Sequence, residues 1–335
     1  MKIGIVTQPL LNNYGGVLQN YALQTVLLRL GHSPITIDYI PPRKSLWKHL
    51  ASCVKNAIRC FLGKESSFKM KRDTFERNAF FSDFVKERIC KTQVLHEYNL
   101  KKIDDDIEAF VVGSDQVWRP RYNGKNIKEM FLDFCKHSGN VKRIAYAASF
   151  GVDCWEFSSK LTKKCALLAK KFNAISVREE SGVKLCRDYL GVDATWVLDP
   201  TLLLNKEDYC ELCKGVPERK NVLAAYVLNM TDPIFAWCKK IAKERGLDIV
   251  LLGSDSDATM TVSEWLALFR DASYVVTDSF HGTVFSIIFD KEFKCMCNQS
   301  RGSARVDSLL KLYDLGKIVD ARNESLDWLK KALES

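Results

Sequence analysis

Hydrophobic and polar positions along this chain repeat one plan: a short run of consecutive apolar residues, a polar turn, then apolar residues at helical spacing. The plan is densest near residue 280. Ala272–Val276 is a short apolar run with Tyr274 and two valines, which predicts a strand covered on both faces. Val284, Phe285, Ile287 and Ile288 occupy most of a helix circumference, so a buried helix is predicted to follow. Its N-terminus then opens at the carboxyl end of the strand, where ligands of open α/β sheets bind. In the turn between, Asp278 or Ser279 can cap the helix and Gly282 allows close backbone approach. First-turn N–H groups, including those of Gly282 and Thr283, suit an anion. His281 stands beside them, either as a packing and capping residue or as a chemical one.

The same plan opens the chain. Lys2 to Thr7 reads as a strand, Gln8 to Gly16 as a loop, Val17 to Leu30 as a helix stopped by Gly31, and Pro34 to Tyr39 as a second strand, together a βαβ unit. Gly15 and Gly16 let the backbone approach a ligand, without the GxGxxG of dinucleotide folds, so Asn13 to Gly16 are candidate ligand residues. Gln19 and Asn20 could equally be solvated helix positions. Ile107 to Val112 is a buried strand ending in Gly113-Ser114-Asp115-Gln116-Val117-Trp118, which places a carboxylate and an amide at a strand end. Tyr146 to Gly151, with Ser149, follows the next strand. A further short strand delivers Arg178, which is either a surface partner of Glu179 or Glu180 or a ligand for a carboxylate or phosphate, whose two oxygens match its planar fork. Trp196 to Thr201 closes this first unit.

Beyond it, Asn221–Leu228, Asp248–Leu252 and Phe293–Met296 read as further strands. Pro233–Arg245, Ser263–Phe269, a loop and helix over Arg301–Leu312, and Leu326–Leu333 supply the helices. The predicted class is α/β, with two doubly wound Rossmann-like domains, 1–205 and 206–335, facing a central cleft. A chain of 335 residues has the length for two such domains.

Composition narrows the classes. At 47% apolar residues the chain is not disordered, and it has no uncharged apolar run of the length that spans a bilayer. Polar residues follow Val6 too soon for a signal peptide, so a cytoplasmic location is expected. Twelve scattered cysteines predict mostly buried thiols and no zinc site, and Asp104-Asp105-Asp106 reads as a solvated loop rather than a metal site. Charge is uneven: residues 43–102 carry 15 Lys and Arg against 6 Asp and Glu, while the remainder carries 35 of each, so this one segment accounts for the net charge of +9. The segment reads as a basic helical insertion in the first domain, with Phe68, Phe75, Phe80, Phe81 and Phe84 as inward residues. Within it, residues 45–62 place Trp47, Leu50, Val54 and Phe61 at helical spacing opposite Lys48, Lys55 and Arg59. Such a helix either packs on its own domain or makes a peripheral contact with an anionic membrane at the inner face.

The string from Thr277 to Ser286 resembles the signature of the polysaccharide pyruvyl transferase family. Gly15 to Leu23, Gly113 to Trp118, Tyr146 to Gly151 and Ser176-Val177-Arg178-Glu179 resemble further segments of that family, in the same order. The resemblance implies a GT-B-like arrangement of the two domains. It also implies a transferase that joins the three-carbon unit of phosphoenolpyruvate to two sugar hydroxyls as a ketal, releasing phosphate, in exopolysaccharide, capsule or cell-wall synthesis. Phosphoenolpyruvate is then the donor substrate and there is no separate cofactor. The acceptor is a sugar, in one form lipid-linked, and no nucleic acid partner is expected.

On this reading His281 is the acid or phosphate stabiliser, histidine being the residue type most used for proton transfer, and Asp115 is the base. Arg178, in a string that in the family holds an arginine implicated in binding the donor, works with the Gly282 and Thr283 backbone to hold the anions. Asn13, Tyr14, Gly15, Gly16, Ser114, Gln116, Ser149, Ser279 and Phe280 line the substrate site. Some family members carry Arg-Leu-His where this chain has Ser279-Phe280-His281, so a cation is missing, and Arg305 is the candidate replacement. The alternatives are a glycosyltransferase of the same architecture that uses a nucleotide sugar, and a non-catalytic carbohydrate-binding relative.

Overall fold

The computed structural model describes residues 1–40, 79–99, 103, 106–135, 140–252, 259–296 and 303–334. The 45–62 helix and its membrane contact lie outside the described residues, as do Phe68, Phe75, Asp104 and Asp105. Among the described residues no helix is long and apolar enough to cross a membrane.

Two parallel sheets organise the chain. The first has six strands in the order β2-β1-β3-β4-β5-β6, formed by β1 (Lys2–Val6), β2 (Ser33–Thr36), β3 (Ala109–Val112), β4 (Lys142–Ala148), β5 (Ala174–Val177) and β6 (Thr195–Trp196). Every pairing in it is parallel, with Ile3 set between Pro34 and Ala109. The second has four, β10-β9-β7-β8, formed by β7 (Val222–Tyr226), β8 (Asp248–Leu252), β9 (Tyr274–Thr277) and β10 (Phe293–Cys295), again all parallel. Strand order reverses between β1 and β3 and again between β7 and β9. A doubly wound sheet leaves its crevice at such a reversal, because the flanking connections depart to opposite faces. In each sheet one of the two reversal strands, β3 or β9, ends in a segment marked out above.

Helix α1 (Tyr14–Arg29) begins three residues earlier than its apolar pattern predicts, because Asn13 Oδ1 accepts a hydrogen bond from Gly16 N (2.7 Å) and so caps it. Gly15 and Gly16 therefore lie inside its first turn rather than in a loop. Gln19 and Asn20 are buried rather than solvated. Gln19 Nε2 donates to Thr7 Oγ1 (2.8 Å), and Asn20 and Gln24 both bond Thr36 Oγ1, so these amides fasten α1 to the ends of β1 and β2. In α2 (Ala79–Arg88) Phe81 and Phe84 point inward as predicted, whereas Phe80 is 39% exposed on the opposite face. Of the cysteines, Cys165, Cys186 and Cys213 are buried with thiols that burial pushes up to about 12, while Cys90 and Cys154 are exposed.

Besides a single turn at Pro120–Asn123, the layers include α3 (Ser159–Ala169), α4 (Glu180–Leu185), α5 (Lys206–Leu212), α6 (Asp232–Arg245), α7 (Val262–Asp271) and α8 (Phe280–Ile288). They are followed by α9 (Ala304–Asp314) and α10 (Ile318–Glu334). The last helix is twice the length its apolar pattern predicts, and it returns to the first sheet. Ser325 Oγ accepts from Leu198 N (2.9 Å), and Lys142 Nζ donates to Leu333 O (2.7 Å). The end of the chain thus straps the second half of the molecule back onto the first sheet, in addition to the continuous segment between β6 and β7.

Candidate functional site

The site is assembled from strand ends, beginning with β3. After Val112 the chain turns sharply, and Asp115 takes a φ of 72°, the left-handed region that costs a non-glycine residue about 1–2 kcal/mol. The turn is held because Asp115 O accepts from both Val117 N (2.7 Å) and Ser149 N (3.1 Å), which also joins the end of β3 to the end of β4. Next to it β4 carries a bulge: its register with β5 shifts between Ala145 and Ala148, and Ala147 has φ 51°. Ser176 Oγ fixes this bulge by accepting from Ala147 N and donating to Ala145 O, both at 3.0 Å. The bulge redirects residues 149–151. Gly151, at φ 77°, is required there, since a Cβ would run into the Gln116 side chain.

β5 then delivers Arg178, which is 3% exposed and so is not a surface residue. Its Nη1 donates to Asp199 Oδ2 (2.7 Å), and its Nη2 lies 3.5 Å from Asp115 Oδ1. Asp199 is the hub. Oδ2 also accepts from Ser114 Oγ (2.8 Å), and Oδ1 accepts from Thr201 N (3.0 Å) and Thr201 Oγ1 (2.6 Å). Burial by itself would raise the Asp199 carboxyl, but His281, Arg178 and Thr201 outweigh it and hold the group well below the usual carboxylate range. Burial likewise works against the charge of Arg178, and Asp199, Asp115 and Glu179 more than compensate. Glu179 is completely buried, with Oε1 accepting from Phe150 N (2.7 Å) and Gly151 N (3.1 Å).

The second sheet supplies the facing half. Ser279 is the cap of α8, its Oγ accepting from Gly282 N (3.5 Å). Asp278 serves elsewhere: its two oxygens accept from Leu228 N (2.6 Å) and Asn229 N (3.0 Å), tying the ends of β7 and β9 across the strand-order reversal. Gly282 is needed because a Cβ there would meet Thr277 and Tyr226. His281, 7% exposed, puts Nε2 at 3.8 Å from Asp199 Oδ2, and its Nδ1 edge lies against Gly15 so closely that a Cβ on Gly15 would fall within the ring. Phe280 packs under two guanidinium groups, Arg178 with Cζ 4.4 Å from the ring centroid and Arg305 with Cζ at 5.7 Å. Burial and the neighbouring Arg178 push Arg305 down to about 10, which leaves it charged at neutral pH. Arg178, Asp199, Phe280 and Arg305 share the wall of a cavity of about 10 Å³.

Comparison with known proteins bears on this geometry. The family model described as polysaccharide pyruvyl transferase matches residues 13–296. The chain belongs to that family. No individual curated protein matches it significantly in sequence. Among solved structures, an α-glucosyltransferase in complex with UDP and a 13-mer DNA is 9% identical, with 98% of this chain and 95% of that one covered and a TM-score of 0.45. The UDP-GlcNAc 2-epimerase of Methanocaldococcus jannaschii is 11% identical, with 95% and 93% covered and a TM-score of 0.44. A glycosyltransferase from Rickettsia africae is 12% identical, with 99% and 97% covered and a TM-score of 0.40. Likenesses at this level say nothing of ligand or reaction.

Within the pyruvyl transferase match, the residues singled out from the sequence fall into two groups. Asp115, Arg178, Phe280 and His281 converge on one buried cluster, with Ser114 bonded into it and Gly15 pressed against its imidazole. Arg305, beyond the matched span, joins the same cluster. The others support it from behind. Asn13 and Ser279 are helix caps, and Ser149 Oγ accepts from Gly151 N (3.0 Å). Gln116 Oε1 accepts from Arg119 Nη1 (3.0 Å). Tyr14 leaves the charged cluster altogether and stacks on Trp265 at 5.1 Å between centroids. The Thr283 amide, expected to face an anion, donates instead to Ser279 O (3.0 Å), as the capped first turn of α8 requires, and the Gly282 amide is taken up by the cap. Asp199 and Glu179 were not singled out as site residues. The signal for both was present, since each is a carboxylate just past a strand end, the criterion that selected Asp115.

Proposed function

We infer that this chain is a pyruvyl transferase that moves the pyruvyl unit of phosphoenolpyruvate onto two hydroxyls of a sugar in a polysaccharide or its precursor. The observation that supports it most is the pair of guanidinium groups over Phe280 with His281 one residue on. Phosphoenolpyruvate carries a carboxylate and a phosphate on one carbon and a methylene on the next. Arg178 and Arg305 suit the two anionic groups, and Arg305 stands in for the arginine that Ser279 replaces. Arg178 Nε has no hydrogen-bond partner among the described residues, and Nη2 has only the ion pair with Asp115 at 3.5 Å, so the guanidinium retains donor capacity for an incoming oxygen.

In the reaction His281 gives a proton to the methylene carbon, and positive charge develops on the neighbouring carbon. One sugar hydroxyl attacks that carbon and loses its proton to Asp115. The phosphate leaves, the second hydroxyl adds, and the ketal closes. Of the two hydroxyl protons, one restores the proton that became part of the methyl group and the other leaves on phosphate. Asp199, held ionised, orients the imidazole and keeps Arg178 in place, and is too fully bonded to act as the base itself. The arginines act by electrostatic stabilisation as phosphate departs.

The test is release of inorganic phosphate from phosphoenolpyruvate across a panel of hexose and hexosamine glycosides, with the ketal product identified by mass. Release that depends on one acceptor class supports the reading. Glycosyl transfer from a nucleotide sugar, with no phosphate released from phosphoenolpyruvate, refutes it.

A further inference from the structure

A second concavity lies beside the cluster, and its chemistry is different. It is a groove of about 480 Å³ between α4 and α9, at the seam of the two units. Glu180, Ser181 and Lys184 of α4 face Asp307, Ser308 and Lys311 of α9, with Asp153 from the loop after β4. These positions recur at one-turn spacing, so each helix turns one face to the groove, where Ala304 and the aliphatic stems of the charged side chains form most of the exposed surface and the polar groups stand along it. The groove adjoins the charged cluster through both walls: Arg178 and Glu179 immediately precede α4, and Arg305 lies in the first turn of α9.

Charge separates the two places. The cluster offers two guanidinium groups to an anion. The groove mixes three carboxylates with two ammonium groups and two hydroxyls, a net negative lining that disfavours an anion while supplying donors and acceptors in alternation. The two walls are tied to each other, because Glu180 N donates to Ser308 Oγ (3.2 Å) and Lys311 Nζ pairs with Glu180 Oε2 (2.8 Å). Ser181 Oγ is buried without a hydrogen-bond partner among the described residues, a polar atom that a ligand hydroxyl would satisfy. The volume lies in the range of small-molecule sites.

We propose that the groove between α4 and α9 is the acceptor subsite, and that it takes a neutral, hydroxyl-rich glycan rather than an acidic one; this rests on the transferase reading above. Asp153, Lys184, Asp307 and Lys311 are exposed side chains, so their removal should leave the fold intact. Two double variants test the site, Asp153→Ala with Asp307→Ala, and Lys184→Ala with Lys311→Ala. Each is measured for retention on an array of neutral and acidic glycans without donor, and for phosphate release from phosphoenolpyruvate.

The expected result is that the wild type retains neutral glycans and that each variant loses this retention about tenfold or more, with thermal melting unchanged. Where phosphate is released, the KM for acceptor rises by the same factor and the KM for phosphoenolpyruvate does not move. Groove-dependent retention with no phosphate release from any acceptor removes the transferase reading and leaves the glycan site standing. Retention unchanged in both variants, retention of acidic glycans alone, or no retention by the wild type overturns the proposal.

Discussion

The seam between the two units is built in two unlike halves. On one side Tyr14 stacks on Trp265, and Phe81, Tyr226, Phe269 and Phe285 complete an aromatic cluster contributed by both units. On the other, Asp115, Arg178, Asp199, Arg305 and His281 form a buried set of charged and polar groups. The two halves meet at consecutive residues, since Tyr14 belongs to the first and Gly15 lies against His281 in the second. The aromatic half is stabilised chiefly by burial, as each ring removes a large apolar area from water. The charged half is costly to bury, and that cost is offset by the dense bonding around Asp199, which takes hydrogen bonds from Arg178, Ser114 and Thr201. The apolar half supplies burial and the charged half carries the proposed chemistry, so substitutions in the two should fail differently.

The largest expected effect is at His281. His281→Ala should lower kcat for phosphate release by about 10²–10⁴-fold, the usual worth of a general acid. Its thermal midpoint should fall less than that of a core aromatic variant, because an imidazole removes less apolar area from water than a buried Trp or Phe ring. A variant with more than about a tenth of wild-type kcat removes His281 from the role of acid.

Asp199→Asn comes next and should act on stability as well as activity. Losing the charge leaves Arg178 with one weaker partner and should cost about 3–5 kcal/mol. The sign with pH follows from the depressed carboxyl. A group whose folded pKa lies below its unfolded value, about 3.9 for Asp, contributes its full stabilisation above that value and loses it as the pH falls further. Denaturant melts should therefore show a large gap between wild type and Asp199→Asn at pH 7 that narrows progressively below about pH 4. A gap that does not change with pH would mean that geometry, not charge, is what Asp199 supplies.

Arg178→Lys keeps the charge and removes the fork. It should raise the KM for phosphoenolpyruvate about tenfold or more, since one point charge cannot replace paired N–H donors. An unchanged KM would assign donor binding elsewhere. The smallest effect is expected in the aromatic half, where Tyr14→Phe removes the hydrogen bond from Tyr14 Oη to Met260 O (2.6 Å) and leaves the ring stack. It should cost about 1 kcal/mol in denaturant unfolding with kcat within a factor of two or so. A large loss of kcat in this variant would show that the two halves are coupled, and would undo the separation drawn above.

The sequence by itself determined the strands, most of the helices and the places where chemistry could stand. Consecutive apolar residues followed by polar turns mark strands buried on both faces, and that signal is local. It located Asp115, Arg178 and His281 without reference to any contact. The caps were legible only in part: Ser279 was one of two candidates, and Asn13 extended α1 beyond its apolar stripe because a single side-chain hydrogen bond outweighed the pattern. What only the tertiary structure decided was pairing. That Asp199 joins Arg178 to His281, that Gly15 leaves room for an imidazole 266 positions away, and that Tyr14 closes the apolar half of the seam depend on residues distant in the chain. So does the course of α10, whose weak amphipathic pattern shows a helix but not the sheet it lies on. Hydrophobic periodicity reports which face of an element is buried. Only the packed molecule states against what, because charges buried in the seam are permitted solely by partners brought from the other strand ends.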